Sequence, residues 1–231
     1  MARTRAPGRL DEIAESALKA FMSGGYRRTR MSDVARAAGV SPGLLYTYAE
    51  SKEALFLLVL LRETGTDVDS LELPVSSPED GDLRSVLRKG LQRVGIFPTL
   101  DAALQTDSPP DARAELAAIV GEHYDGVLAH RRVITLVEQC AADWPELATL
   151  FYDRGRKGFV HRLGEYIRRR AASGQFRQVA DPDVAARFVI ETVAWFANHR
   201  YGDHDGAGIA DDVARATVVD LLTAGLTGDA S

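Results

Sequence analysis

The run Gly39-Val40-Ser41-Pro42-Gly43 has the spacing G-x-S-x-G, at which hydrolases present a nucleophilic serine to an acyl carbon. That chemistry requires the serine to sit on a sharp turn between a strand and a helix. Here the preceding segment is rich in alanine and has helical periodicity. Pro42 at a first helical position makes Ser41 a helix cap instead. We therefore interpret the motif as a helix start, and the sequence predicts no catalytic residue and no enzyme activity.

Two further groups of residues have side chains that can bind ligands. Asp203-His204-Asp205 gathers oxygen and nitrogen donors, but a calcium loop needs more ligands at fixed spacing, so a polar turn is favoured. His123 and His130 lie seven residues apart on one predicted helix face. This spacing is compatible with ligand contact and is more typical of half-buried imidazoles with hydrogen-bond partners. The sequence predicts no metal site and no cofactor.

The composition excludes several classes of protein. The 231 residues include a single cysteine, Cys140, so no intramolecular disulfide can form. The longest apolar runs, such as Leu55–Leu61, are far shorter than the ~20 residues of a membrane span. Residues 1–60 carry nine Lys and Arg and six Asp and Glu, a balance of +3, whereas the rest carry 19 and 27, a balance of −8. We expect a cytoplasmic protein with a basic N-terminal part suited to a polyanion, and no membrane partner.

The elements that position these residues are predicted to be helices throughout. Apolar residues recur at helical spacing, and no sustained alternation typical of strands appears. The predicted helices span 10–23, 31–38, 41–48, 51–66, 83–105, 111–141, 145–173, 182–200 and 209–226, with a loop over 69–82. The first helices form a helix-turn-helix, a shape that reads DNA. We expect an all-α fold with a three-helix DNA-binding domain over 1–50, a connecting helix over 51–68, and a larger helical effector-binding and dimerisation domain over 69–231.

The segment from Thr29 to Tyr48, TRMSDVARAAGVSPGLLYTY, followed by SKEAL from Ser51, resembles the N-terminal domain of the TetR family of bacterial one-component regulators. The resemblance covers about residues 8–60, and the later helices match only in number, length and order. It implies a homodimer that places two recognition helices in successive major grooves. It also implies a helical domain that binds a small effector and sets the distance between the two recognition helices. Ala49 replaces a usual aromatic residue, which we interpret as repacking, and Leu44 replaces a small or polar one, which we interpret as an altered operator preference.

The residues predicted to contact DNA lie around the second helix of this motif. They are Thr29, Arg30, Ser41, Pro42, Gly43, Leu44, Tyr46, Thr47, Tyr48 and Lys52. A lysine in the first turn of a helix opposes the helix dipole, and a phosphate would remove that conflict at Lys52. The resemblance implies that the Tyr46 hydroxyl also binds phosphate, although a tyrosine here could instead be a half-buried core residue. Because Pro42, Gly43 and Leu44 offer no side-chain hydrogen bond, thymine methyl contacts and DNA shape must supply much of the specificity.

The last two predicted helices have more than one apolar stripe. A surface helix of a monomer needs one stripe, so a second predicts a partner, and the resembling family pairs these helices with a second subunit. The alternative is a helix buried within one subunit. The residues predicted to form the dimer interface are Phe188, Val189, Thr192, Trp195, Phe196, Val213, Val218, Leu221 and Leu222.

The effector site is expected among the helices of the larger domain. Its candidates are the aromatic and polar residues Tyr124, Gln139, Cys140, Trp144, Phe151, Tyr152, Phe159, Trp195, Asn198 and His199. The predicted inward faces carry few charges, which favours an apolar or aromatic effector.

The sequence thus predicts a transcriptional repressor that binds a palindromic operator as a homodimer and is released by a small molecule. One alternative is a helical effector-binding protein or enzyme whose N-terminal unit no longer binds DNA. Another is an activator or nucleoid-type DNA binder that has no effector.

Overall fold

The computed structural model describes residues 8–77, 85, 97–107 and 109–228. Within these ranges all regular elements are helical, and an isolated bridge between Ala49 and Val75 is the only β-type pairing. The predicted all-α fold is confirmed. The α-helices, numbered within the described ranges, are α1 (Arg9–Arg28), α2 (Met31–Ala37), α3 (Pro42–Tyr46), α4 (Lys52–Glu63), α5 (Pro98–Leu104), α6 (Ala112–Ala129), α7 (Arg131–Ala141), α8 (Pro145–Ala148), α9 (Lys157–Ala172), α10 (Pro182–Ala197) and α11 (Asp211–Thr227). A π-helical segment covers Thr149–Arg156, and 3-10 turns cover Val68–Ser70, His199–Gly202 and Gly206–Gly208.

The chain forms two compact units. Unit 1 comprises residues 1–93 and 132–152, and unit 2 comprises 94–131 and 153–231. The segment 132–152 therefore packs with the N-terminal helices, although it is distant from them in sequence. The division by function at residues 50 and 68 stays a prediction.

Unit 1 is built around the apolar stripe of α1. The stripe predicted from helical spacing, from Leu10 to Phe21, is fully buried at every position. It packs against α2 and α4, and Leu45 of α3 is buried in the same unit. Burying a side chain of this size stabilises the fold by about 1.5–3 kcal/mol, so this core holds the short helices in place.

The helix boundaries in unit 1 follow local chemistry. The Ser41 hydroxyl accepts a hydrogen bond from the Leu44 amide at 3.2 Å, so the predicted cap is confirmed, and the Ser51 hydroxyl caps α4 by accepting one from the Ala54 amide at 3.0 Å. Gly39 ends the α2 turn with a left-handed φ of 64°, which glycine adopts without strain. Gly25 also has a positive φ and interrupts α1, but helix resumes to Arg28, so the predicted end at residue 23 is too early.

Two long predicted helices are helical in the structure but are not single α-helices. The predicted helix 111–141 is split at His130, whose φ of −108° and ψ of 15° leave the helical region. The predicted helix 145–173 begins as the short α8 and passes through the π-helical segment before α9. The break at His130 has no glycine or proline beside it, whereas the π-helical segment contains Gly155; periodicity alone detects neither change. Of the predicted helix 83–105, the range 98–104 is helical, and most of the remainder lies outside the described residues.

Buried arginines organise unit 2. Arg170 of α9 is completely buried and pairs with Glu115 of α6. Arg200, also completely buried, donates to the carbonyl oxygens of Phe196 and Ile209 and pairs with Asp211. It thereby joins the end of α10 to the start of α11. Buried charges of this kind are tolerated only when they are paired and hydrogen-bonded.

A network of charges ties α1, α4 and α7 together in unit 1. Arg62 donates to Asp11 at 2.6 Å and to Glu15 at 2.8 Å, and Arg132 bonds Glu15 and lies 3.3 Å from Glu63. Burial opposes ionisation of Glu15, but hydrogen bonds from Arg132 and Arg62 outweigh burial and lower its pKa to about 2. The ionised carboxylate is therefore the form that stabilises unit 1.

We expect the Glu15→Gln variant to lose about 1–2 kcal/mol of unfolding free energy at pH 7. The loss is no larger because solvent screens the ion pairs of Glu15. A folded pKa below the ordinary value of 4.5 for a glutamate gives stability that is complete above that pH and is lost as pH falls toward about 2. Urea unfolding at pH 7, 4.5 and 3 should show that the free energy of unfolding falls with pH in the parent protein and falls less steeply in the Glu15→Gln variant. Glu12→Gln, which removes an exposed pair with Arg9, is the control and should change stability by less than about 0.5 kcal/mol. Equal pH dependence in Glu15→Gln and the parent would contradict this assignment.

Candidate functional site

The short helix α3 presents most of the predicted DNA-contact residues on the surface. Ser41, Pro42, Gly43, Tyr46 and Thr47 are exposed. Tyr46 is 50% exposed, which excludes the core-aromatic alternative for this residue. The neighbouring Leu45 is fully buried, so α3 is fixed to unit 1 by one side and free on the other. This geometry fits a helix that enters a groove.

Ser41 caps α3 and has no strand before it within the described residues. It adopts an extended conformation with a ψ of 151°, and the next residue begins the helix. The hydroxyl is an acceptor for the Leu44 amide. The structure therefore confirms the interpretation of G-x-S-x-G as a helix start.

The half-buried members of the α3 set are Leu44 and Tyr48. The carbonyl of Tyr48 accepts a hydrogen bond from the Val75 amide at 2.8 Å, and the Val75 carbonyl accepts one from the Glu50 amide at 3.1 Å. Ala49 lies between these bonds and is completely buried. A large aromatic side chain at this position would have no room, which supports the repacking predicted for Ala49.

Thr29 is a structural residue and lies beneath the surface. It is buried, and its hydroxyl lies 2.7 Å from the Gly25 carbonyl and 3.1 Å from the Ala20 carbonyl. These contacts satisfy the carbonyls at the interrupted end of α1. The hydroxyl of Thr29 is thus occupied within unit 1, and the N-cap of α2 is Arg30. Arg30 is exposed, and its contact with DNA stays a prediction.

Lys52 lies at the start of α4 but its ammonium already has a protein partner. Its Nζ donates to the Tyr26 carbonyl at 3.0 Å and lies 4.3 Å from the centre of the Tyr26 ring. An ammonium has three donors, so two remain for a phosphate. The contact with Tyr26 gives a structural reason for a lysine at an unfavourable end of the helix dipole, which the sequence did not reveal.

Three further cations lie on the surface of unit 1. Arg27, Arg28 and Arg36 are all exposed, and Arg36 lies on α2 beside the turn that leads to α3. Sequence reasoning missed them as candidates, although their positions next to Arg30 and in α2 were a usable signal. Arg28 and Arg36 also make local contacts, with the Gly24 carbonyl and with Asp33 respectively.

The predicted effector residues are divided between the two units. Gln139, Cys140, Trp144, Phe151 and Tyr152 belong to unit 1. Tyr124, Phe159, Trp195, Asn198 and His199 belong to unit 2.

In unit 1 the predicted effector residues serve mainly as structure. Trp144 packs on Tyr26 and Phe56, with ring centres 4.7 Å and 5.3 Å apart. Cys140 is buried, and burial raises the pKa of its thiol to about 12, so it is unreactive at neutral pH. Phe151 and Tyr152 contact each other at the π-helical segment. These contacts attach residues 132–152 to the N-terminal helices.

In unit 2 the predicted effector residues lie in different places. Tyr124 is buried, and its hydroxyl donates to the Phe196 carbonyl at 3.3 Å. Asn198 is the buried C-cap of α10, whereas His199 is exposed. Phe159 stacks on Phe97 with ring centres 4.0 Å apart. Beside this pair lies His123, which is buried and belongs to no group of predicted effector residues.

The two histidines singled out by spacing have different environments. The Nδ1 of His130 lies 2.9 Å from the Gly126 carbonyl, to which it donates. Within the described residues neither ring nitrogen of His123 has a hydrogen-bond partner. The Asp203-His204-Asp205 segment is exposed, and no three metal-ligating side chains cluster within the described part of the chain.

The residues predicted for the dimer interface occupy two faces of α10 and α11. Phe188 and Leu221 are about two-thirds exposed, at 67% and 65%, and Trp195 and Val213 are exposed beside them. Val184, outside the predicted set, extends the same stripe. Thr192 and Phe196 are half-buried, and Val189, Val218 and Leu222 are buried within the subunit. Only the exposed and half-buried members are therefore accessible to a partner. No helix among the residues described is long and apolar enough to cross a membrane.

Comparisons with known proteins match both parts of the chain. Residues 13–59 match the family of bacterial regulatory proteins called the tetR family, and residues 104–201 match the C-terminal domain of AefR-like transcriptional repressors. The HTH-type transcriptional repressor KstR2 of Rhodococcus jostii is 26% identical over 95% of this chain and 91% of its own length.

Two solved structures have a similar fold. The ketosteroid transcriptional regulator KstR2 of Mycobacterium tuberculosis has a TM-score of 0.60 at 17% identity, covering 99% of this chain and all of that one. AibR, solved with isovaleryl coenzyme A and operator DNA, has a TM-score of 0.55 at 18% identity, covering 95% of this chain and 98% of its own. The match of both halves, in the same order and on the expected helices, leads to one conclusion: the chain belongs to the TetR family of bacterial transcriptional regulators.

Proposed function

We propose that the protein is a homodimeric repressor that binds a palindromic operator through α3 and is released from it by a small apolar or aromatic effector. The observation that carries this proposal is the exposed, capped α3, which shows Pro42, Gly43, Tyr46 and Thr47 to solvent and is anchored by the buried Leu45. Cations on neighbouring segments suit the phosphates on either side of a major groove. Such a protein acts in the cytoplasm and needs no catalytic residue.

The side chains of α3 and of Lys52 at the start of α4 suit different kinds of contact with DNA. Tyr46 and Lys52 are assigned to phosphates, which fix the position of the helix on the duplex. The Thr47 hydroxyl donates to the Leu44 carbonyl at 2.7 Å, which leaves its methyl group for a thymine methyl. Specificity therefore rests on apolar contacts and DNA shape rather than on bidentate hydrogen bonds.

Release by an effector requires a difference in affinity between two conformations. The effector must bind the conformation with the wrong distance between the two α3 helices more tightly than the DNA-bound one. Moving the population from 1:99 to 99:1 takes about 5.5 kcal/mol of differential binding. An effector that binds both conformations equally would not release the operator, however tightly it binds.

The proposal is tested by selecting bound fragments from genomic DNA and measuring their affinity across salt concentrations. Dimeric binding predicts palindromic sites with half-site centres about one helical turn, or a multiple of it, apart. It also predicts a steep fall in affinity with salt, from several neutralised phosphates. Recovery of no enriched sequence would favour a protein that has lost DNA binding, and enrichment without palindromes would favour a nucleoid-type binder.

Lys52→Met and Thr47→Ser should affect DNA binding in different ways. Lys52→Met keeps the apolar stem over Tyr26 but removes one charge per subunit, so the slope of log affinity against log salt should become shallower by about 2 per dimer for every sequence. Thr47→Ser keeps the hydroxyl and removes the methyl, so it should weaken preference at one base pair by about 1–3 kcal/mol and leave the slope unchanged. Thermal unfolding of both variants serves as the control, because Lys52 also contacts Tyr26. An unchanged slope in a folded Lys52→Met variant would disprove the phosphate assignment.

A further inference from the structure

His123 occupies an unusual position in the core of unit 2. Its side chain lies on α6 and the residue is only 6% exposed. Its ring centre lies 5.3 Å from that of Phe97 and 4.7 Å from that of Phe159, which stack on each other. Both Nδ1 and Nε2 are buried and have no hydrogen-bond partner in the described structure.

This arrangement is unfavourable for a side chain that serves packing alone. A buried polar group without a partner costs about 1–3 kcal/mol, and nearly all such groups in folded proteins are paired. A phenylalanine would complete the stack of Phe97 and Phe159 without that cost. The imidazole is therefore explained better by a partner from outside the chain than by stability.

The charge state of His123 limits what that partner can be. Burial, aided by the positive charge of Arg156, lowers the pKa of the imidazole to about 3, so the ring is neutral at physiological pH. A neutral imidazole has one donor and one acceptor and no charge to offer a carboxylate or phosphate. The nearby Arg156 is already paired with Glu191. The chemistry suits an uncharged oxygen.

An open position lies about one helical turn from His123 on α6. Gly126 is three residues after His123 and is half-buried. Apart from the backbone of α6 and the neighbours of Gly126 in the chain, no described atom lies within 4 Å of the position that a Cβ at Gly126 would occupy. A glycine in mid-helix lowers helix stability by up to about 1 kcal/mol, so the open position is not explained by helix propensity.

We propose that His123 is the polar anchor of the effector site, where it hydrogen-bonds a ketone or hydroxyl oxygen on an otherwise apolar ring system that packs against Phe97 and Phe159. The inference rests on the proposed function, since it names the chemistry of the effector that would release the operator. It assigns the site to unit 2 alone. It replaces the predicted effector residues, which are divided between the two units, with one cluster formed by His123, Phe97 and Phe159.

The test compares two probes that differ by one oxygen, 1-indanone and indane, on the full-length protein. Binding is followed by the imidazole nitrogen resonances of ¹⁵N-labelled histidine and by titration. The parent protein should bind 1-indanone at least ten times more tightly than indane, and only 1-indanone should shift the His123 nitrogens. In His123→Phe the two affinities should agree within a factor of about two, and His123→Gln should recover part of the preference. His130→Phe, at the C-cap of the same helix, should keep the full preference.

Several results would overturn the proposal. They are equal binding of the two probes, binding of neither up to their solubility limits, or a preference that survives in His123→Phe. A marked fall in the melting temperature of His123→Phe, with the preference intact, would assign the imidazole to a structural water instead. Operator binding is measured separately on the parent protein: its absence would refute the proposed function, whereas the probe comparison would still decide whether His123 anchors a ligand.

Discussion

Replacing Phe188 with aspartate is expected to convert the dimer to monomers and to weaken operator binding by at least about 100-fold. Phe188, Val184 and Trp195 form an exposed apolar stripe on α10, and Val213 and Leu221 form a second on α11. Full burial of a side chain of this size contributes about 1.5–3 kcal/mol, and an unpaired carboxylate in the same place reverses the sign of that contribution. A monomer has only one DNA-binding domain, and so it loses the gain in affinity from two linked domains, which is typically 10²–10⁴-fold.

The measurement is mass by light scattering across a dilution series, followed by operator affinity on the same samples. Ala118→Asp is the matched control, because it introduces the same charge on an exposed position of α6 in the same unit. It should remain dimeric. Val189→Asp offers a contrast: that residue is buried within the subunit, so the change should unfold unit 2 rather than yield folded monomers. A dimeric Phe188→Asp variant would rule out this surface as the interface.

Replacing Arg170 with leucine is expected to destabilise unit 2 by about 3–5 kcal/mol, because it leaves a carboxylate without its charged partner and two carbonyls without this donor. Arg170 is completely buried and donates to Glu115 at 2.9 Å, to the Ala103 carbonyl at 2.9 Å and to the Asp107 carbonyl at 3.1 Å. The Tyr166 hydroxyl donates to the same carboxylate at 2.9 Å. One guanidinium thus links α5, α6 and α9.

The double variant Arg170→Leu, Glu115→Leu separates the value of the ion pair from the cost of breaking it. Removing both charges should recover a large part of the loss, since buried ion pairs are often worth little relative to apolar residues of similar size. Tyr166→Phe removes a single hydrogen bond and should cost about 1 kcal/mol. Chemical unfolding at pH 7 gives all three values. A double variant no more stable than Arg170→Leu would show that the carbonyl contacts, and not the ion pair, dominate.

The helix-turn-helix and its chemistry could be predicted from the sequence because the signals are local. A serine cap, a proline at the first helical position and a glycine stop each act within about four residues. The stripe from Leu10 to Phe21 depends only on helical periodicity. These features established the all-α fold and the placement of Ser41 and Tyr46 at an exposed helix.

The partners of each helix face depended on residues far apart in the chain. Arg132 bonds Glu15 across 117 positions, and Trp144 packs on Tyr26, so a segment expected in the effector domain belongs to unit 1. Lys52 likewise donates to the carbonyl of Tyr26 in α1, which lies 26 positions earlier in the chain.

The amino-acid sequence by itself determined the all-α class, the start of α3 at its Ser41 cap and the presence of two apolar stripes on each of the last two helices. The tertiary structure alone decided which stripe is buried, with Val189 and Val218 inside and Phe188 and Leu221 outside. It also decided that His123, which is not among the predicted effector residues, is buried with both ring nitrogens lacking a hydrogen-bond partner in the described structure. The physical reason is that periodicity reports a buried face without identifying its neighbour, whereas burial and hydrogen bonding are set by the packing of distant segments.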